Sequence, residues 1–251
     1  MTLPKTTKYL NATAFGMLLL TDAALPSWAT TGNLHEEVFQ GVARNARGEI
    51  AYIEEHRMTY QNGRPDRNET RYRDANGQEI AVLTSNFIHH PYVPNYSFED
   101  RRFGRQDGAF VDGDWVKLYG RADQEAPVRQ DLVRLEDDMV TGQGLHIYLR
   151  DHLTQLATGD TIQQVRFLVP LEGRDFPFRI RRLKEPGESA TVAFNIEADS
   201  WLLRLFAPNL EVRYDRKTGR LLSYQGASNL LDAERGMQKV TITYRYADAQ
   251  R

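Results

Sequence analysis

The sequence predicts a mainly β fold: a large curved antiparallel sheet or partly open barrel packed on one amphipathic helix. Three observations carry that expectation. Short segments of alternating polarity recur along the 251 residues, joined by turn pairs such as Asn62-Gly63 and Asn76-Gly77. Only residues 144–157, GLHIYLRDHLTQLA, place apolar side chains at strongly helical spacing. No linker, fixed-period repeat or low-complexity tract divides the chain.

Residues 1–29 read as an export signal rather than as part of the fold. Lys5 and Lys8 give a positive start, residues 12–20 an apolar core, and Ser27-Trp28-Ala29 a small-x-small cleavage site. The apolar run falls short of the roughly 20 residues a permanent span needs. Cleavage after Ala29 would leave 30–251 as a single antiparallel β-rich domain, exported to the bacterial periplasm. No later segment is long and apolar enough to suggest a stable membrane span.

The chain has no cysteine, which excludes disulfides, thiol catalysis and cysteine metal sites. An exported domain without disulfides must hold itself together by its core, and about 200–250 residues is ample for one all-β domain. Losing Lys5 and Lys8 against Asp22 moves the formal charge from −2 to −3, so the chain lacks the basic footprint of a nucleic-acid binder. The clusters at Arg101, Arg102 and Arg105, and at Arg179, Arg181, Arg182 and Lys184, read as solvated strand faces.

The elements follow in order. Residues 35–43 alternate weakly and turn at 45–48. Residues 49–60 form a long strand whose even positions, from Ile50 and Tyr52 to Met58 and Tyr60, are mostly apolar. Residues 67–74 are charged on both faces, which suggests an edge or a solvent-facing strand. Residues 79–88 are apolar on both faces and read as central. His89-His90-Pro91 and Pro94 interrupt pairing. Strands resume at 96–103, up to Val111, from Trp115 to Tyr119 and over 128–135, with the acidic residues 136–138 leading towards the helix. Beyond it, strands are expected at 161–169, 176–183, 190–197, 210–214, 220–224 and 240–246, with a turn at 185–188. Residues 201–206 fit a short helix or a buried strand equally well. About a dozen strands should curl, since strongly twisted open sheets rarely stay flat beyond about 10; wrapping around the helix is favoured over closure.

The helix carries Leu145, Tyr148, Leu149, Leu153 and Leu156 in one stripe, with His152 inside it. Thr141 is placed to cap its start and Gly159 to end it in a left-handed conformation. Gly142-x-Gly144 reads as the loop leading into it, because no Lys-Ser/Thr follows to make a phosphate loop.

Architecture and sequence together resemble known exported proteins. A curved antiparallel sheet covered by a helix, in an exported chain of this size, looks like the periplasmic lipoprotein carriers of the LolA and LolB type. Residues 210–230, LEVRYDRKTGRLLSYQGASNL, are similar to the C-terminal hairpin of uncharacterised exported bacterial proteins. The carrier likeness implies acyl-chain binding between sheet and helix; neither likeness brings a catalytic residue onto this sequence.

Candidate chemistry is sparse. His146 and His152 are six apart, about 120° around a helix, and so do not form a metal-binding pair. His35, His56, His89 and His90 show no ligand spacing either, so no metal or cofactor is expected. Glu54 and His56 share one strand face roughly 7 Å apart, where burial would shift both in the sense acid–base catalysis uses. No Gly-x-Ser-x-Gly or Ser-x-x-Lys occurs.

The leading expectation is a non-enzymatic protein holding an apolar or amphiphilic, lipid-like ligand in free space between helix and sheet. Tyr52, Tyr60, Tyr148, His152, Phe194, Trp201 and Tyr244, with Tyr246, are the candidate lining. A hydrolase using Glu54 and His56, with His152, is the second reading. A pocketless scaffold recruiting a partner at an edge strand is the third.

Overall fold

The computed structural model describes residues 33–159, 162–184, 189–200 and 209–247. The expected export segment 1–29, the turn at 185–188, the apolar run 201–206 and the candidate Trp201 lie outside the described residues.

Fifteen strands, all in one sheet, occur among the described residues. The first eight are β1 (Leu34–Arg44), β2 (Ile50–Gln61), β3 (Arg64–Arg73), β4 (Glu79–Asn86), β5 (Asn95–Asp100), β6 (Arg105–Asp112), β7 (Trp115–Arg121) and β8 (Arg129–Arg134). A two-residue strand, β9 (Met139–Val140), precedes helices α1 (Gly142–Asp151) and α2 (Leu153–Thr158). The remainder are β10 (Gln163–Val169), β11 (Arg174–Arg182), β12 (Thr191–Ala198), β13 (Leu210–Asp215), β14 (Leu221–Leu231) and β15 (Met237–Tyr246).

Every neighbour in the sheet is also a neighbour in sequence, except that β1 pairs with β15. All pairs are antiparallel but β9 with β10. The meander therefore runs outward from β1 to the edge at β8, reappears at the opposite edge as β9, and returns to β15. That connectivity fixes the curvature. Laid flat, fifteen strands would hold the two edges about 65 Å apart, yet the short link between Arg134 and Met139 reaches under about 20 Å. The sheet has to curl until β8 and β9 approach, and it does so without closing.

The helices occupy the inside of the curl. One core group joins Leu145, Tyr148 and Leu149 of α1 to Val192, Phe194 and Tyr214 of β12 and β13. On the other flank, Ile147 packs with Phe39, Met58 and Tyr60 of β1 and β2. Burying both flanks of one helix explains why α1 docks in spite of its short length, since each large apolar side chain contributes roughly 1.5–3 kcal/mol.

Turn chemistry follows the sequence closely. Asn62 and Gly63 both take positive φ (53° and 78°), which supplies the twist a two-residue hairpin needs. Several expectations need correction. The helix spans 142–158 rather than 144–157 and breaks at His152, whose backbone leaves the helical region (φ −102°, ψ 10°). Thr141 does cap α1, its side chain accepting from Gly144 N, but Gly159 is extended (φ −96°) rather than left-handed. Gly142 and Gly144 lie in the first turn of α1, not in a preceding loop. A Cβ at Gly144 would sit 1.6 Å from the Tyr92 carbonyl oxygen, so only glycine lets α1 approach that backbone. Finally, β3 lies between β2 and β4, with Asn68, Thr70 and Tyr72 buried, and is no edge strand.

Candidate functional site beneath α1

Strand alternation places Tyr52, Glu54, His56, Met58 and Tyr60 on the inner face of β2, all buried. Glu54 and His56 are only 5% and 7% exposed, so their polar atoms must find partners within the protein. They do so through a string of hydrogen bonds. Asn68 Nδ2 donates to Thr70 Oγ1 (3.0 Å), and Thr70 Oγ1 lies 2.9 Å from His56 Nδ1. A carboxylate only accepts, so His56 Nε2–H donates to Glu54 Oε2 at 3.0 Å, and the other ring nitrogen, Nδ1, is placed to accept from the Thr70 hydroxyl. The Tyr244 hydroxyl donates to the same carboxylate oxygen, also at 3.0 Å. At the far end Asn68 Nδ2 reaches Gln143 Oε1 of α1 (3.5 Å), tying the string to the helix.

One buried atom beside the string is unsatisfied. Ser85 stands opposite Asn68 across β3 and β4, and its Oγ has no hydrogen-bond partner among the described residues. Around the string the tyrosine hydroxyls are held neutral. Burial, followed by the charge of Glu54, pushes Tyr244, Tyr52 and Tyr72 well above the usual phenol range.

Two further groups come from the helix itself. His146 Nδ1 lies 3.0 Å from the Tyr214 hydroxyl, with the rings stacked. Burial, reinforced by Arg150 and His56, pushes His146 down to about 3, so it stays uncharged at neutral pH. Arg150 bonds the Tyr60 hydroxyl and lies 3.7 Å from Glu37, which also accepts from Arg220 (3.3 Å).

The residues singled out from the sequence separate into distinct settings. Glu54, His56 and Tyr244 are brought together. Tyr60 joins the Arg150 group, and Tyr246 stacks on Phe39 at 4.8 Å. Tyr52 packs against Tyr72 in a neighbouring core group, while Phe194 and Tyr148 sit in the main core around α1. His152 does not join the string. At the helix break its Nδ1 meets the Tyr148 carbonyl at 2.9 Å and its ring stacks on Tyr148 at 4.3 Å. Sequence reading does not place Asn68, Thr70, His146 or Tyr214 at a site. For β3 a signal exists: Asn68, Thr70 and Tyr72 alternate with Arg67, Glu69, Arg71 and Arg73, which separates an uncharged face from a charged one.

Between helix and sheet, Leu145, Ile147, Leu149 and Phe194 are at most 6% exposed. Two hollows of about 580 Å³ and about 620 Å³ open on the other face of the sheet. Along the β8 edge Leu132 is exposed between Gln130 and Arg134.

No protein-family model and no curated protein matches the chain. Among solved structures it is similar to a domain from Vibrio parahaemolyticus described as belonging to an outer membrane lipoprotein-sorting protein. The two share 8% identity over 87% of each chain, with a TM-score of 0.26. Among the described residues no helix is long and apolar enough to cross a membrane.

Proposed function

We propose that this is a non-enzymatic protein of the bacterial periplasm that binds an apolar or amphiphilic, lipid-like ligand between the sheet and α1. The observation that supports this most is the buried polar string from Gln143 to Tyr244, set among aromatic side chains and flanked by the unpaired Ser85 hydroxyl. Buried polar groups are normally satisfied, so an orphan beside an ordered network suits a partner that arrives from outside. A polar strip between aromatic walls matches a molecule with one polar end and an apolar body.

Because α1 fills that space, the ligand takes the helix's place. Undocking Leu145, Ile147, Tyr148, Leu149 and Leu153 costs roughly 7–15 kcal/mol at 1.5–3 kcal/mol each. Burying a chain of about 16 methylenes contributes about 13 kcal/mol at ~0.8 kcal/mol per CH₂. The exchange is near balance, as a carrier that both loads and unloads requires. Ligand headgroups would meet Glu54, His56 and Ser85, and Tyr52, Tyr60, Phe194 and Tyr244 would line the apolar part, while Tyr148 and His152 move with the helix and cover the ligand from the other side.

Native mass spectrometry of protein purified from its own envelope fraction tests the reading. A lipid-sized adduct, diminished in Glu54→Gln, is expected. Bare protein after gentle extraction, with no uptake of added lysophosphatidylglycerol, overturns it. A hydrolase is favoured by one observation only, the orientation of His56 between Thr70 and Glu54. Loss of an ester-hydrolysing activity in a folded His56→Ala variant would support that instead.

A further inference from the structure

We infer that the face of the sheet turned away from α1 binds an acidic oligosaccharide. The face is defined by strand parity: Glu54, His56 and Met58 point inward, so Glu55, Arg57 and Thr59 point outward. The two hollows adjoin there, sharing Arg57 and Glu69 in their walls. Together they cross seven neighbouring strands, from β15 through β1 to β6. At the usual strand spacing that is about 29 Å, room for a chain of several sugar rings.

The first hollow is cationic. Arg57, Arg71, Arg73 and Arg245 line it against Glu55 and Glu69, on a chain whose net charge is −2. Arg57 pairs with Glu36 (2.6 Å), Arg71 with Glu79 (3.2 Å) and Arg73 with Glu55 (2.9 Å). The Arg57 and Arg71 side chains are 65% and 50% exposed. Such exposed pairs contribute little, so a ligand carboxylate can replace the protein's own. Arginine presents a planar fork suited to carboxylates.

The second hollow is rich in uncharged donors and carries one aromatic platform. Asn86 Oδ1 accepts from Ile88 N (3.0 Å) and Asn95 Oδ1 from Val111 N (2.7 Å), which leaves each amide NH₂ turned to donation. Phe110 is 43% exposed and stacks on Tyr119, 5.9 Å between centroids, whose hydroxyl donates to Ser97 Oγ at 2.9 Å. An aromatic face beside amide and hydroxyl groups suits the C–H face and hydroxyls of a pyranose. Single-stranded nucleic acid would call for a basic protein, and the net charge here is −2.

The test is titration calorimetry at low salt with a galacturonate hexamer, a neutral cellulose hexamer and a hexaglutamate peptide. The expected result is binding of the uronate at least tenfold tighter than of the other two. Phe110→Ala should weaken it about fivefold, and raising the salt should weaken it further. Phe110→Leu keeps an apolar side chain and checks that any loss reflects the ring. Glu54→Gln, on the opposite face, should leave the affinity unchanged, so failure here is separable from failure of the lipid-binding reading. No uronate binding, equal binding of hexaglutamate, or indifference to Phe110→Ala overturns the inference.

Discussion

The Glu54 carboxylate and the His56 imidazole, two residues apart on β2, are joined Oε2 to Nε2 at 3.0 Å, with both side chains under one-tenth exposed. Thr70 and Tyr244 hold the two ends of the pair, so each member depends on the other for its buried polar atoms. Removing one partner strands the second, which costs more than the pair itself is worth. Glu54→Ala and His56→Ala should each destabilise by about 3 kcal/mol in urea unfolding. The double variant should cost clearly less than their sum.

His146 makes stability pH-dependent in a definite sense. Its folded form resists protonation down to about 3, whereas the unfolded chain takes up the proton near pH 6.5. The unfolded state therefore binds more protons between those values, and stability rises with pH across that window. Falling from pH 6.5 to 5 should remove on the order of 1–2 kcal/mol. Asp107, whose carboxyl is raised by burial, acts in the opposite sense at acid pH. The measurement is accordingly a comparison: urea unfolding of His146→Gln should show a flatter dependence between about pH 5 and 7 than the parent protein.

The two glycines opening α1 should respond differently to alanine. A Cβ at Gly144 collides with the Tyr92 carbonyl, while at Gly142 nothing lies within 4 Å. Gly144→Ala should cost about 3 kcal/mol or more by forcing the helix off its seat. Gly142→Ala should stay within about 0.5 kcal/mol of the parent. Thermal melts of the two variants, side by side, make the comparison.

The removal of the α1 cap has a milder expected effect. Thr141 Oγ1 accepts from Gly144 N at 3.3 Å, satisfying one amide of the first turn. Thr141→Ala should cost about 1 kcal/mol, and Thr141→Ser should recover most of it. The midpoint of urea unfolding reads both.

The fold is legible in the sequence wherever backbone chemistry is local. Gly48, Asn62-Gly63 and Gly77 all adopt positive φ at expected turns, and β2 alternates as its residues do. Long-range pairing is not legible. The alternation in β3 reports which face is buried and says nothing of which strands pair along its two edges. The two-residue β9 is too brief to carry any period, and it is recruited only by pairing with β10. At the site, Glu54 and His56 are visible as a same-face pair. Their partners Thr70 and Tyr244 lie 14 and 190 residues away from His56 and Glu54 respectively, so only the folded sheet brings them together. His152 misleads because the helix breaks there, and a break turns an apolar-stripe position into a half-buried corner.

The displacement of α1 by ligand is best read by amide hydrogen exchange with and without lysophosphatidylglycerol. Faster exchange is expected over 142–158, where the helix leaves its seat, together with altered exchange in β2 around Glu54 and His56. Saturating ligand that leaves the amides of both α1 and β2 unchanged would contradict it.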